Sequence, residues 1–218
     1  MVKQLGIKLE CLFYDVTHFF TFIASTNARP KLAQRGHSKQ KRADLRLVSL
    51  ALLVSREGQI PLCSHLYEGN RVDVSSFPDS LTRIRERLHE LAVDIEQVTL
   101  VYDKDNLSKT NQRLVDATPC GYVASLVPAH HAELVEIPVQ RYARLASKRL
   151  GEIPVLRLQR EIWGKRRTVV LFVSEQLRQG QIRGLTQHLN KACSALERWK
   201  AELAKPRSGP RTPEAARR

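Results

Sequence analysis

Two short apolar runs end on a carboxylate: Leu12-Phe13-Tyr14-Asp15 and Thr99-Leu100-Val101-Tyr102-Asp103. Runs this short read as buried strands. An ionised carboxylate at the edge of a core needs a cation or several donors beside it. Two such strands lying together in one sheet would bring both carboxylates to a common edge. Hard divalent cations such as Mg²⁺ or Mn²⁺ take oxygen ligands of this kind, so Asp15 and Asp103 are the candidate metal ligands. An aspartate after a strand is more often a turn residue or a helix cap; the repeated Tyr-Asp and what surrounds each copy weigh against that reading here. His18 follows Asp15 closely, but a lone histidine beside Phe19 and Phe20 reads as a satisfied packing residue.

A dense basic stretch lies between the first two strand candidates. Residues 28–46 hold Arg29, Lys31, Arg35, Lys39, Lys41, Arg42 and Arg46 against Asp44 alone. Charge runs are usually solvated loops. A basic loop flanking a carboxylate edge is also where a phosphate backbone would be held, which makes Arg35, Lys39, Lys41 and Arg42 the candidate DNA-binding residues.

The elements that must position these groups follow from the apolar pattern. Residues 8–16 read as a first strand ending on Asp15. Leu47 to Val54 is uniformly apolar and reads as a central strand buried on both faces. A turn at Arg56-Glu57-Gly58-Gln59 returns the chain as a strand over Ile60 to Tyr67, giving a three-stranded meander. Ser76 and Asp79 resemble a capping box with Pro78 in the first turn. Phe77, Leu81, Ile84, Leu88 and Leu91 then mark one face of an amphipathic helix. That helix crosses over to the strand ending at Asp103. Ser108 caps a second helix through Ala117, and Gly121 to Val127 is a fifth strand. Residues 128–150 read as irregular, with the His130-His131 pair at the surface. Val155 to Gln159 and Thr168 to Val173 form a hairpin around Gly164, tipped by Lys165, Arg166 and Arg167. Over Glu175 to Ala204, the residues Ile182, Leu185, Leu189, Ala192, Leu196, Trp199 and Leu203 recur by threes and fours. This heptad-like seam fits a helix packed on its own domain, a helical arm, or a homodimer seam. Thr212-Pro213-Glu214 has the signs of a further helix start with four residues after it, so a truncated reading frame is expected.

Length and composition bound the rest. The 218 residues suffice for one ample core plus an appendage, divided here as residues 1–150 and 151–218. No apolar run is long enough to cross a membrane, and no secretory signal is visible at the start. A formal charge of +14 favours a polyanionic partner, nucleic acid first. Cys11, Cys63, Cys120 and Cys193 are scattered without metal or redox spacing, as expected for free thiols in a reducing cytoplasm.

Several segments taken in order resemble the DDE transposases of bacterial insertion sequences, in the branch related to the IS-four group. They are Asp15-Val16-Thr17; Gly36-His37-Ser38-Lys39 with Arg42 and Asp44-Leu45; Leu52 to Gly58; Pro61-Leu62; Gly69-Asn70 with Asp73; and Asp103-Lys104 with Asn106 and Ser108. The resemblance covers almost the whole chain and rests on the order and spacing of these motifs. It implies an α/β, RNase H-like fold: a mixed five-stranded sheet with flanking helices, interrupted by a β-hairpin and long-helix insertion. It implies that Asp15 and Asp103 are the first two acids of a catalytic triad and that two Mg²⁺ or Mn²⁺ ions occupy the complete site. It further implies a third acid, a glutamate on a later helix, which the chain is expected to lack; Glu197 is not assigned to that role. Relatives also carry an N-terminal DNA-binding region that this chain is expected to lack. Asp105 departs from the family, where glycine is common, and adds charge beside Asp103.

The resulting expectation is a transposase catalytic-domain fragment that acts on insertion-sequence ends and target DNA in the bacterial cytoplasm, in association with the nucleoid. Without a third acid it would cut DNA poorly or not at all. Two other readings stand beside it. One is a non-catalytic DNA-binding remnant that inhibits a full-length relative through mixed dimers. The other is a stand-alone RNase H-like nuclease, for which Glu133, Glu136 and Glu175 would be the third-acid candidates. A purely structural reading treats the basic charge as solubility alone.

Overall fold

A computed structural model describes residues 6–24, 26–36, 42, 44–148 and 151–204. By its contacts the chain divides into two compact units, Met1–Val135 and Glu136–Arg218.

The first unit is built on a five-stranded mixed sheet of order β3-β2-β1-β4-β5. Its strands are β1 (Cys11–Thr21), β2 (Arg46–Ser55), β3 (Pro61–Glu68), β4 (Thr99–Tyr102) and β5 (Gly121–Ala124). The first three form the expected antiparallel meander, and β4 and β5 run parallel to β1. Between β3 and β4 the chain crosses over through α1 (Asp73–Glu90), and α2 (Lys109–Asp116) links β4 to β5. A one-turn α3 (Ala132–Val135) ends the unit. The fold is α/β and RNase H-like, as expected.

The pleat decides which residues meet. On one face Leu12 and Tyr14 of β1, Ala51 and Leu53 of β2, Tyr67 of β3, and Leu100 and Tyr102 of β4 pack against Phe77, Leu81, Ile84 and Leu88 of α1 and Val115 of α2. Tyr14 and Tyr102 hold Phe77 between them, with ring centroids 5.3 Å and 5.1 Å away. Alternate strand residues face the other way, and there Phe19 is 50 % exposed, Leu66 54 % and Val123 57 %.

Three expectations about elements need correction. β1 does not stop at Asp15 but continues to Thr21, because β2 pairs with it over its whole length. The middle of the sheet is β1, and β2 lies one strand in from the edge, its residues alternating between buried and half-buried. The uniform apolarity of Leu47–Val54 therefore does not report a strand closed on both faces. Finally, α1 starts at Asp73, so Ser76 is a buried helical residue and Pro78 lies inside the helix. A proline has no N–H to give the carbonyl four residues earlier. That carbonyl, on Val74, accepts instead from Nδ2 of Asn111 on α2 at 2.7 Å. The proline's missing bond becomes the polar tie between two helices.

The second unit holds a three-stranded antiparallel sheet, β6 (Ala143–Ser147), β7 (Gly151–Ile162) and β8 (Lys165–Phe172), followed by the 29-residue helix α4 (Glu175–Leu203). β6 lies in a stretch expected to be irregular. It pairs with β7 only from Gly151 to Val155. The seam on α4 is where the spacing put it, and its side chains are open: Leu185 is 71 % exposed and Trp199 65 %. No helix among the described residues is long and apolar enough to cross a membrane.

Candidate metal site and nucleic-acid surface

The β1–β4 ladder pairs Leu12 with Leu100, Phe13 with Val101 and Tyr14 with Tyr102. One residue further along each chain stand Asp15 and Asp103. Neighbouring strands run about 4.8 Å apart, so the two positions expected to share an edge are adjacent in register. At this point β4 ends and, among the described residues, β1 goes on with β2 alone. Asp15 is exposed, on the face opposite Tyr14.

The two carboxylates are held differently. Oδ1 of Asp15 accepts from the following amide of Val16 at 2.8 Å. Oδ1 of Asp103 caps the 3-10 turn Lys104–Asn106, accepting from the amide of Asp105 at 2.9 Å and from Nδ2 of Asn106 at 3.2 Å. Asp103 is thus a cap and a candidate ligand at once, and the two readings of a strand-end aspartate do not compete here. In both residues the bonds fall on Oδ1, and Oδ2 has no partner among the described residues. Asn106 is buried and its own Oδ1 is an orphan acceptor, so the amide beside Asp103 is fixed by burial with one lone-pair site unfilled. Asp105 forms an ion pair with Lys104 at 3.2 Å, which offsets the extra charge introduced there.

Two unpartnered carboxylate oxygens suit a hard cation, with water filling the remaining positions. Among the described residues no group of three or more His, Cys, Asp or Glu side chains gathers to complete such a site. Glu133 pairs with His131 at 3.4 Å. Glu175 is clasped by Arg178 through two 2.7 Å bonds and by Gln179 through another, which holds its carboxyl at about 2. Glu136 and Glu197 are exposed.

A polar cluster that sequence reasoning missed lies on the buried side of the sheet. His18 shares a 2.9 Å hydrogen bond with Oγ of Ser49 and lies 3.5 Å from Oδ2 of Asp73. Tyr67 donates its hydroxyl to Oδ1 of Asp73 at 2.6 Å. Burial and this bond to a carboxylate together push the Tyr67 phenol well above its ordinary range. The order Ser49–His18–Asp73 looks like a nucleophile with its base and orienting acid, but Ser49 is 0 % exposed. No substrate reaches it, so the chain of bonds is a tie between β1, β2, β3 and the start of α1. The only sequence signal was the polar identity of four residues within apolar strands and at a helix start.

Of the four candidate DNA-binding residues, Arg35 is exposed. Arg42 is exposed too and binds Asp44 through two bonds, 2.8 Å and 2.7 Å, which hold the Asp44 carboxyl at about 2. A phosphate would have to replace Asp44 at Arg42. Lys39 and Lys41 lie outside the described residues, as do Thr212, Pro213 and Glu214. Gly36 and Gly69 are required by close approach: a Cβ on Gly36 would strike the carbonyl oxygen of Gly69, and one on Gly69 the carbonyl of Leu47.

Charge is divided unevenly along the chain. Residues 1–135 carry 17 Lys and Arg against 15 Asp and Glu, a net +2; residues 136–218 carry 19 against 7, a net +12. The polyanion signal belongs almost wholly to the second unit.

No protein-family model and no curated protein matches the chain. Among solved structures it is similar to a pre-cleavage Mos1 transpososome (9 % identity, TM-score 0.38, covering 58 % of this chain and 39 % of that one). It is also similar to the Mos1 transposase paired-end complex with the left transposon end (10 %, 0.36, 61 % and 40 %). A third is a piggyBac transposase synaptic complex with hairpin DNA (11 %, 0.38, 85 % and 40 %). The chain spans about two-fifths of the length of each.

Proposed function

We propose that this chain is part of the catalytic domain of a DDE-type DNA transposase, related to the IS-four group of bacterial insertion sequences. The observation that carries the reading is the adjacency of Asp15 and Asp103 in the β1–β4 register. They are separated by most of the first unit in sequence, and each has one carboxylate oxygen left over.

In this reading Asp15 and Asp103 hold Mg²⁺ or Mn²⁺ against a phosphodiester of an insertion-sequence end. A metal ion bound there supplies Lewis-acid stabilisation and an activated water. Asn106 fixes the orientation of Asp103, and Lys104 draws the Asp105 carboxylate aside. Arg35, Lys39, Lys41 and Arg42 fall between β1 and β2 in the sequence and contact the DNA backbone. The complete site takes two ions and a third acid. With two carboxylates the chain binds metal weakly and cuts DNA poorly, and the α4 seam joins it to a second copy. The setting is the bacterial cytoplasm, at the nucleoid.

Titration with Mn²⁺, followed by water proton relaxation, tests the site. Weak binding is expected that Asp15→Asn and Asp103→Asn each abolish. Unchanged Mn²⁺ binding in either variant would overturn the assignment. The assembly of two acids rather than three also supports the second reading, a non-cleaving DNA-binding remnant. That form binds DNA as well after Asp15→Asn as before, with no cleavage in either.

A further inference from the structure

The five-stranded sheet has one covered face and one open face. On the open face stand Phe13 and Phe19 of β1, Leu50 and Leu52 of β2, Leu66 of β3 and Val123 of β5. Phe13, Phe19, Leu66 and Val123 are exposed, and Leu50 and Leu52 are half-buried. A sheet face that meets water turns polar at alternate positions. This one stays apolar across the sheet, because β2 supplies apolar residues to both sides. An apolar face of this breadth marks a place where something docks.

The seam of α4 is the second uncovered surface. None of the 29 residues of this helix is buried, and Ile182, Leu185, Leu189, Leu196, Trp199 and Leu203 are all exposed. Helices in proteins draw most of their stability from packing such a face. From Ile182 to Leu203 the seam runs about 32 Å at 1.5 Å per residue. The middle strand of the sheet, β1, has 11 residues and runs about 33 Å at ~3.3 Å per residue. A helix laid on a sheet is one of the few stable two-layer arrangements. Charge then separates the possible occupants. α4 carries five Lys and Arg against three Glu, whereas the open face of the sheet carries Asp15 and Glu68 against Arg46. Pairing α4 with another α4 would bring together two units of net +12; seating α4 on a sheet brings +12 to +2. The second contact meets far less repulsion.

We infer that two copies of this chain pair reciprocally, the α4 seam of each seated on the open face of the other's five-stranded sheet. One two-fold arrangement then covers both apolar surfaces of both copies and leaves neither surface over for a third copy. It also gives the uniform apolarity of β2 a use, since that strand becomes covered on both sides in the pair. Asp15 stands in the receiving face, so the candidate metal position lies at the margin of the contact. The inference rests on the pairing of two copies proposed above and names the surface that receives the helix.

The test is sedimentation velocity of the full chain, without metal or DNA. The parent should sediment as a dimer that dissociates on dilution. Leu189→Glu on the helix and Phe19→Glu on the sheet should each leave a monomer with the parent's circular dichroism, because both side chains are already exposed and a buried unpaired carboxylate is costly only in the pair. Mixed in equal amounts, the two variants should form a dimer again, weaker than the parent's. In a mixed pair the intact helix of one copy meets the intact sheet of the other, while the two damaged surfaces meet each other. A pair held by helix against helix has no such rescue. Should Phe19→Glu not fold, Leu66→Glu takes its place. A dimer indifferent to the sheet substitutions, species larger than a dimer, or no recovery on mixing would each overturn the inference. A monomeric parent would give both faces to other occupants and overturn it too. A rescued dimer in a chain that binds neither Mn²⁺ nor DNA would uphold the pairing and remove the transposase reading instead.

Discussion

Asn111 and Val74 are joined by a 2.7 Å hydrogen bond from a side-chain amide to a main-chain carbonyl that Pro78 leaves without its helical donor. The same Nδ2 donates to the carbonyl of Asn106 at 2.9 Å, so one buried amide ties α1, α2 and the turn after Asp103 together. Asn111→Ala strands two buried acceptors and should cost about 2–3 kcal/mol, read as a lower urea midpoint with unchanged m. With Pro78→Ala in the background, the residue-78 amide can serve Val74, and the cost of Asn111→Ala should fall by about 1 kcal/mol. Strict additivity of the two substitutions would contradict this account.

Glycine substitutions should divide by location. Gly36→Ala and Gly69→Ala each drive a methyl into a main-chain carbonyl and should destabilise the fold by more than about 2 kcal/mol, as overpacking against backbone does. Gly180→Ala and Gly184→Ala meet open space on α4 and should raise its stability by up to ~1 kcal/mol each. Melting curves followed by circular dichroism give the comparison, and equal effects at the two pairs of sites would refute it.

Alkaline pH should unfold the first unit through its tyrosines. The Tyr14 hydroxyl is buried without a hydrogen-bond partner among the described residues, and burial pushes its pKa from 10.0 to about 12. A pKa raised in the folded state means stability that is intact below pH 10.0 and is lost as the pH climbs through about 12. Tyr67 shifts in the same direction. Ultraviolet titration should show Tyr14 and Tyr67 ionising only at strongly alkaline pH, together with loss of helix signal.

Thiol chemistry should separate the units. Cys193 is exposed on α4, whereas burial pushes the Cys63 and Cys120 thiols up. A thiolate reagent near pH 8 should find a fast phase that Cys193→Ser removes. Rapid modification of Cys63 or Cys120 in the folded chain would show the first core to be looser than described.

Much of the fold can be read from the residues because the deciding signals are local. The turn at Arg56–Gln59, the spacing Phe77-Leu81-Ile84-Leu88, the cap at Ser108 and the seam on α4 each state their element within a few positions. The start of α1 is misleading because Ser76 and Pro78 imitate a first turn, while the rescue of Val74 comes from Asn111, far away in sequence. β1 looks shorter than it is because Asp15, Thr17 and His18 break the apolar run. β2 holds that stretch in the sheet by backbone pairing, which side-chain types do not report. Of the candidate site, the nearness of Asp15 and Asp103 is legible as a consequence of two parallel strands. The roles of Ser49, Tyr67 and Asp73 are not, since each acquires its meaning only from a partner across the sheet. The basic loop draws attention by its local density, but the cations of greatest excess are spread thinly along the second unit, where no short window reveals them.

β4 ends at Tyr102 while β1 runs on to Thr21. From Asp15 onward, the amides of β1 that face away from β2 have no strand to bond among the described residues. Deuterium uptake should therefore jump at that residue, slow from Cys11 to Tyr14 and fast at alternate positions after it. The acid at position 15 sits on the boundary between a clamped lattice and a pliant strip.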